Sequence, residues 1–189
     1  MGRSNVGKSS LINALVRRRI ARTSAAPGKT RLANVYRVAS GADRFYLVDL
    51  PGYGYARGGA AAARVFDELT AAFFGRITLV GQVGQLGGIN PPALRAPPAP
   101  PAFVSALLLV DARHPGLDSD IEAWRWLRQV VAHCAVVATK VDKLTRGERI
   151  RALREFESVY DRPVLPFSAA TGEGLDDLWK LIAHRPTSG

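Results

Sequence analysis

Apolar residues follow two rhythms along this chain, and the rhythms alternate. Short apolar runs over residues 44–49, 104–110, 135–138 and 164–167 are bounded by polar residues and breakers, and each reads as a buried strand. Between them, apolar residues recur at the three- and four-residue spacing of a helix. Leu11, Ile12 and Leu15 predict a helix over 9–18, and Val65, Phe66, Leu69 and Phe73 predict another over 60–74. Ile121, Trp124, Leu127 and Val131 mark a third, opened by the capping box Ser119-Asp120-Ile121-Glu122. A second box, Thr145-Arg146-Gly147-Glu148, opens a helix to about residue 160, and Leu175, Leu178, Trp179 and Ile182 mark the last. Residues 33–38 alternate like a half-exposed strand and, across the turn Gly41-Ala42-Asp43, form a hairpin with 44–49. Strands followed in turn by helices predict an α/β protein with a mostly parallel sheet.

The pattern fails over residues 75–101. Gly84, Gly87, Gly88, Pro91, Pro92, Pro97, Pro98, Pro100 and Pro101 interrupt it, and the stretch carries no acid. It reads as an extended, largely disordered insert with polyproline character, a docking segment being the functional alternative. The remainder of the 189 residues is enough for one domain with a full core, and 47% apolar with 22% charged residues is the composition of an ordinary globule. The single cysteine, Cys134, fits a reducing compartment and reads as a small buried residue rather than a reactive thiol. With no signal peptide and no apolar run long enough to span a bilayer, the expected location is the cytoplasm.

Charge changes the picture locally. The net charge is +10, and residues 1–42 hold Arg3, Lys8, Arg17, Arg18, Arg19, Arg22, Lys29, Arg31 and Arg37 with no acid among them. From Ala106 onward the two signs balance. A cluster such as Arg17-Arg18-Arg19 with Arg22 suits a polyanion such as RNA, and equally suits a solvated helix end.

Candidate chemistry begins with Gly2-Arg3-Ser4-Asn5-Val6-Gly7-Lys8-Ser9, a G-x-x-x-x-G-K-S phosphate loop opening the first helix. Its glycines let successive N–H groups point inward at an anion, and the helix N-terminus adds positive potential. Lys8 is placed to reach the β- and γ-phosphates and the Ser9 hydroxyl to ligate Mg²⁺. Downstream, Pro27-Gly28-Lys29-Thr30 ends on a hydroxyl that can complete the Mg²⁺ shell and sense the γ-phosphate, with Thr23 the alternative. Asp49-Leu50-Pro51-Gly52 leaves an apolar strand; Asp49 can hold Mg²⁺ through water, and the Gly52 N–H can bond the γ-phosphate. Tyr53 stands where some phosphate-loop enzymes use a glutamine to orient water, so slow intrinsic hydrolysis is expected. The glycine-rich residues 53–59 are expected to order with nucleotide. Thr139-Lys140-Val141-Asp142 leaves the next strand: Asp142 can accept hydrogen bonds from guanine N1–H and its amine, and the Lys140 stem can pack over the base. Ser168-Ala169-Ala170 leaves the last strand, with the Ala169 N–H available to guanine O6. His114, beside Pro115, reads as a structural loop residue.

The chain resembles the EngB-type GTPases of the TrmE–Era–EngA–EngB–septin-like superfamily. The likeness rests mainly on residues 2–13 and on Asp49-Leu50-Pro51-Gly52-Tyr53-Gly54-Tyr55-Ala56, with support from Ala21-Arg22-Thr23-Ser24, Pro27-Gly28-Lys29-Thr30 and Val110-Asp111-Ala112-Arg113-His114-Pro115. It covers nearly all of the chain outside 75–101, an insert longer than the family carries there. It implies one Ras-like GTP-binding domain over 1–189, with a mostly parallel sheet and helices on both faces. It implies a monomer that binds GTP and GDP with Mg²⁺, acts with the large ribosomal subunit, and is needed for septation and cell division. The nucleotide-binding stretches it implies are Gly2 to Ser10 (with Ser10 beside Ser9), Gly28-Lys29-Thr30-Arg31-Leu32, Asp49 to Gly52, Thr139 to Asp142 and Ser168 to Ala170. Lys8, Thr30 and Gly52 carry the catalytic roles, with Thr30 rather than Thr23 the switch threonine. Asn5 matches an asparagine that, in related GTPases, helps bind a monovalent cation such as K⁺. The family has a buried strand running into Gly2, so the first strand is expected to be missing here and Met1 to be a truncated or misassigned start. Two other readings remain open: a protein-binding cell-division or signalling scaffold with no RNA role, and a metabolic ATP-dependent kinase, against which the T-K-x-D pattern argues.

Overall fold

The computed structural model describes residues 1–21, 34–40, 43–50, 52–53 and 105–183. The helix expected over 60–74, the loop 54–59 and the insert 75–101 lie outside the described residues, as does the tail from residue 184. The described part has five strands and four α-helices: α1 (Lys8–Val16), β1 (Asn34–Ser40), β2 (Asp43–Asp49), β3 (Ser105–Asp111), α2 (Asp118–Val130), β4 (His133–Thr139), α3 (Arg146–Tyr160), β5 (Val164–Phe167) and α4 (Leu175–Ala183).

β1 and β2 pair antiparallel as a hairpin, with Ser40 opposite Asp43 and Asn34 opposite Asp49. β3, β4 and β5 form a parallel sheet in that order. Its register sets Asp111 beside Thr139 and Thr139 beside Phe167, so three strands end on one line. The segments that leave that line carry the candidate chemistry, and strand C-termini of this kind form the usual ligand crevice of an open α/β sheet. Residues 1–3 lie between the two sheets. Gly2 pairs in parallel with Leu109, Arg3 pairs in parallel with Tyr53, and the Leu109 N–H donates to the Met1 carbonyl at 2.9 Å. This short segment therefore takes the end of the central strand position, and it aims the phosphate loop at the same edge.

Successive strand residues point to opposite faces, and helices cover both. On one face Leu108, Val110, Val136, Ala138 and Val164 pack with Trp124 and Leu127 of α2 and Ala152, Phe156 and Tyr160 of α3. On the other, Leu109, Val137 and Phe167 pack with Leu11 and Leu15 of α1 and Leu178 of α4. Leu127, Phe156 and Leu178 are fully buried; each such side chain contributes about 1.5–3 kcal/mol through its removal from water. Val131, expected on the α2 face, is buried just past the helix end. Cys134 is half-buried at the start of β4, and burial pushes its thiol pKa up, so it stays a protonated packing group.

Two boundaries differ from the sequence expectation. α1 stops at Val16 because Arg17 turns into the left-handed region (φ 52°), where its N–H and that of Arg18 close the last turn on Ala14 and Asn13 carbonyls. The expected capping box at Ser119 does not form. Leu117 caps α2, its carbonyl accepting from the Asp120 and Ile121 N–H groups, which places Ser119 and Asp120 inside the first turn. Asp120 is then turned into the interior, 1% exposed. The second box does form: the Glu148 N–H donates to Thr145 Oγ1, and the Thr145 N–H donates to Glu148 Oε2 at 2.8 Å. Thr145→Ala should therefore cost about 1 kcal/mol, read as a shift of the urea midpoint at unchanged slope; an unshifted midpoint would show that the box contributes nothing.

Candidate phosphate and base site

The loop from Gly2 to Lys8 is shaped by backbone positions that few residues adopt. Gly7, which precedes α1, has φ 108°, a conformation open to glycine and strained for any side chain. Inside the loop, the Lys8 ammonium donates to the Gly2 and Arg3 carbonyls at 2.9 and 3.0 Å. Burial pulls the Lys8 pKa down, and the charge of Asp49 opposes that pull. Burial likewise raises the Asp49 carboxyl, which Lys8 draws back down. Asp49 is 4% exposed at the end of β2, and its Oδ1 has no hydrogen-bond partner among the described residues.

Gly52 is pressed onto the same loop. A Cβ on it would lie 2.7 Å from the Ser4 nitrogen and 2.8 Å from Lys8 Nζ, so the close approach requires glycine. The next residue, Tyr53, is buried, and its hydroxyl donates to Asp120 Oδ1 at 2.8 Å.

The T-K-x-D segment is bonded to the phosphate loop from the other side. The Thr139 hydroxyl donates to the Val6 carbonyl at 2.7 Å, and Lys140 Nζ donates to the Asn5 carbonyl at 2.6 Å. Lys140 has a left-handed backbone (φ 62°) and also donates to Asp111 Oδ2 at 2.9 Å. Asp111 in turn accepts two side-chain bonds from Arg113, at 2.9 and 2.7 Å. Burial would raise the Asp111 carboxyl, but the bonds from Arg113 and Lys140 outweigh it and hold the group well below the usual carboxylate range. Asp142 is oriented by Ser168, whose hydroxyl donates to its Oδ1 at 2.7 Å, with Lys143 at 3.3 Å from Oδ2. The Ser168 bond, ahead of the others, lowers the Asp142 pKa and keeps it anionic. The Ala170 and Thr171 N–H groups close the Ser168 turn on its oxygen.

The structure thus brings together Gly2 to Ser10, Asp49, Leu50, Gly52, Thr139 to Asp142 and Ser168 to Ala170 at one sheet edge. Thr23, Gly28, Lys29, Thr30, Arg31, Leu32 and Pro51 lie outside the described residues. Three residues at this edge had no role assigned from sequence: Asp111, Arg113 and Asp120. For Asp111 the signal was available, since an acid ending an apolar strand is what singled out Asp49.

The site's likeness to known proteins is extensive. A family described as "50S ribosome-binding GTPase" matches residues 1–81. The "Probable GTP-binding protein EngB" of Thermotoga maritima is 36% identical over 187 residues, covering 97% of this chain and 83% of that protein. The protein of the same name from Chlorobaculum tepidum is 39% identical over 185 residues, covering 96% and 83%. The chain belongs to the EngB family of GTP-binding proteins. Its fold is that of the P-loop GTPases. A solved "probable GTP-binding protein engB" superposes with a TM-score of 0.56 at 24% identity, over 96% of this chain and 93% of that one. Era, in complex with MgGDPNP and nucleotides 1506-1542 of 16S ribosomal RNA, gives 0.69 at 19% identity, over all of this chain and 57% of Era. This EngB-family chain is accordingly a GTPase, converting GTP and water to GDP and phosphate.

Proposed function

We propose that this EngB-family GTPase is a cytoplasmic switch in assembly of the large ribosomal subunit, needed for cell division and septation, with slow intrinsic hydrolysis. In this reading residues 1–189 form a single, monomeric GTP-binding domain. The observation that carries the nucleotide part is the pair of bonds from Thr139 and Lys140 to the Val6 and Asn5 carbonyls. They tie the segment that carries Asp142 to the phosphate loop, which supports a reading in which Asp142 reads the base beside the loop that holds the phosphates. Ala169 offers its N–H to guanine O6, and Lys8, Gly52 and Thr30 act on the γ-phosphate.

A divalent cation fits this site. The buried Asp49 carboxylate keeps Oδ1 without a protein partner among the described residues, which suits a bond to a Mg²⁺-held water. Ser9 and Thr30 supply hydroxyl ligands in the same reading. Among the described residues no cluster of three or more His, Cys, Asp or Glu side chains forms, so most of the shell would be phosphate and water oxygen, as Mg²⁺ prefers. Bound there, Mg²⁺ neutralises charge on the β- and γ-phosphates. Asn5, with a left-handed φ of 62°, keeps the monovalent-cation role in this reading.

The ribosomal part is supported by the family description and by Arg17, Arg18 and Arg19, which are exposed at the end of α1. No helix among the described residues is long and apolar enough to cross a membrane. Co-sedimentation with purified large subunits under a GTP analogue and under GDP tests the proposal. Binding should favour the GTP analogue and weaken with salt. Replacing Arg17, Arg18 and Arg19 by alanine should flatten the plot of log affinity against log salt by roughly two to three units. Equal pelleting with both nucleotides, or binding indifferent to salt and to the arginines, would favour the protein-scaffold reading instead.

A further inference from the structure

Asp120 is the most deeply buried acid among the described residues, 1% exposed in the first turn of α2. Nothing in the chemistry described above uses it. Yet it joins two parts of the site. Its Oδ1 accepts the Tyr53 hydroxyl bond at 2.8 Å and lies 3.2 Å from Arg3 Nε, a close ion pair without the alignment of a hydrogen bond. Arg3 belongs to the phosphate loop, Tyr53 directly follows Gly52, and the two residues also pair through their backbones. A buried carboxylate is costly unless it is paired. Here the pairing comes from one residue of each loop, and the N-terminal dipole of α2 adds to it. Burial still pulls the Asp120 carboxyl upward against the Tyr53 and Arg3 contacts, so the three groups depend on one another.

We propose that Asp120 is a positioning residue that locks residues Gly52 and Tyr53 and the phosphate loop together, holding the Gly52 N–H where a γ-phosphate oxygen would accept it. The geometry at Gly52 shows why a lock is needed. Its backbone is packed against Ser4 and Lys8 with no room for a Cβ. A donor held so closely loses its alignment if these two residues drift. Tyr53 occupies the glutamine position with its hydroxyl bonded to Asp120 of α2, so the residue anchors the segment that carries Gly52 instead of handling water. Because only GTP has a γ-phosphate, releasing the lock should reduce GTP affinity and leave GDP affinity nearly intact. The inference rests on the proposed role of Gly52.

Two variants isolate the lock. Tyr53→Phe keeps the ring in its pocket and removes the hydroxyl; Asp120→Asn keeps the shape and removes the charge facing Arg3. Titration with GDP and with GppNHp should show the ratio of GppNHp to GDP dissociation constants rising about tenfold in Tyr53→Phe. It should rise similarly in Asp120→Asn, and in the double variant by less than the product of the two. A ratio unchanged or lowered in both variants, or both nucleotides weakened in proportion, would overturn the proposal and leave Asp120 a packing residue. If Tyr53→Phe fails to fold, the ratio in Asp120→Asn decides alone. Gly52→Ala separates the two layers. If Gly52→Ala leaves the ratio of GppNHp to GDP dissociation constants unchanged, the Gly52 role is wrong; if it raises the ratio while Tyr53→Phe does not, only the lock is wrong.

Discussion

Asp142→Asn is expected to weaken GTP by about two to three orders of magnitude and to make xanthosine triphosphate the preferred nucleotide. The reasoning runs from the carboxylate outward. Asp142 is anionic, its Oδ1 held by the Ser168 hydroxyl at 2.7 Å and its Oδ2 near Lys143. That fixes the plane in which it can accept from guanine N1–H and the 2-amine together. Each bond to a charged acceptor is worth about 1.5–3 kcal/mol, and the asparagine amide presents donors where guanine also presents a donor. A buried donor facing a donor costs more than an absent bond, which is why discrimination of this kind exceeds that of an apolar pocket. Xanthine carries a carbonyl in place of the amine and so meets the new N–H with an acceptor. The Ser168 contact survives, because an amide can still accept from the hydroxyl, so the fold should be undisturbed. Competition between GTP and XTP for the purified variant reads the effect directly; a variant that still prefers GTP would show that Asp142 does not read the base.

Much of this site is legible in the sequence because each motif is local. The loop Gly2 to Ser9, Asp49 to Gly52 and Thr139 to Asp142 are each set by a strand end or helix start only a few residues away. Periodicity alone placed those elements: β3, β4 and β5 fall where the apolar runs stand. What joins the motifs is not local. The Thr139–Val6 bond spans 133 residues and the Tyr53–Asp120 bond 67, and no periodicity encodes such distances. The failed capping box at Ser119 belongs to the same class. Judged locally, S-x-x-E was as good a helix start as the Thr145 box that formed. In the structure Leu117 caps the helix instead, and Asp120, inside the first turn, meets Tyr53 and Arg3. Asp111 combines the two: its position at a strand end and its neighbour Arg113, two residues on, are local, but its partner Lys140 became evident only once β3 and β4 were in register.

Lys8→Ala is expected to lower GTP hydrolysis by at least about a hundredfold, the usual cost of removing one preorganised donor to developing charge. An ammonium has three donors. Two of them hold the Gly2 and Arg3 carbonyls, so among the described residues the third is left to meet a phosphate oxygen beside Gly52. Alanine removes that donor and also slackens the loop. A second effect falls on stability. Lys8 is the principal charge drawing the buried Asp49 carboxyl down against desolvation. Without it, Asp49 in the folded protein binds its proton more tightly than an unfolded Asp, whose pKa is 3.8. The folded state then holds more protons than the unfolded one, so stability falls as pH rises above that value and through the raised pKa of Asp49. The Lys8→Ala deficit in melting temperature, measured without nucleotide, should accordingly be smaller at acidic than at alkaline pH. Lys8→Ala/Asp49→Asn, which removes the stranded carboxylate, should recover most of the melting temperature at alkaline pH and none of the hydrolysis. Recovery of both would mean that Lys8 serves only to offset Asp49, and hydrolysis within a few-fold of the unmodified protein in Lys8→Ala would mean that the phosphates are held elsewhere.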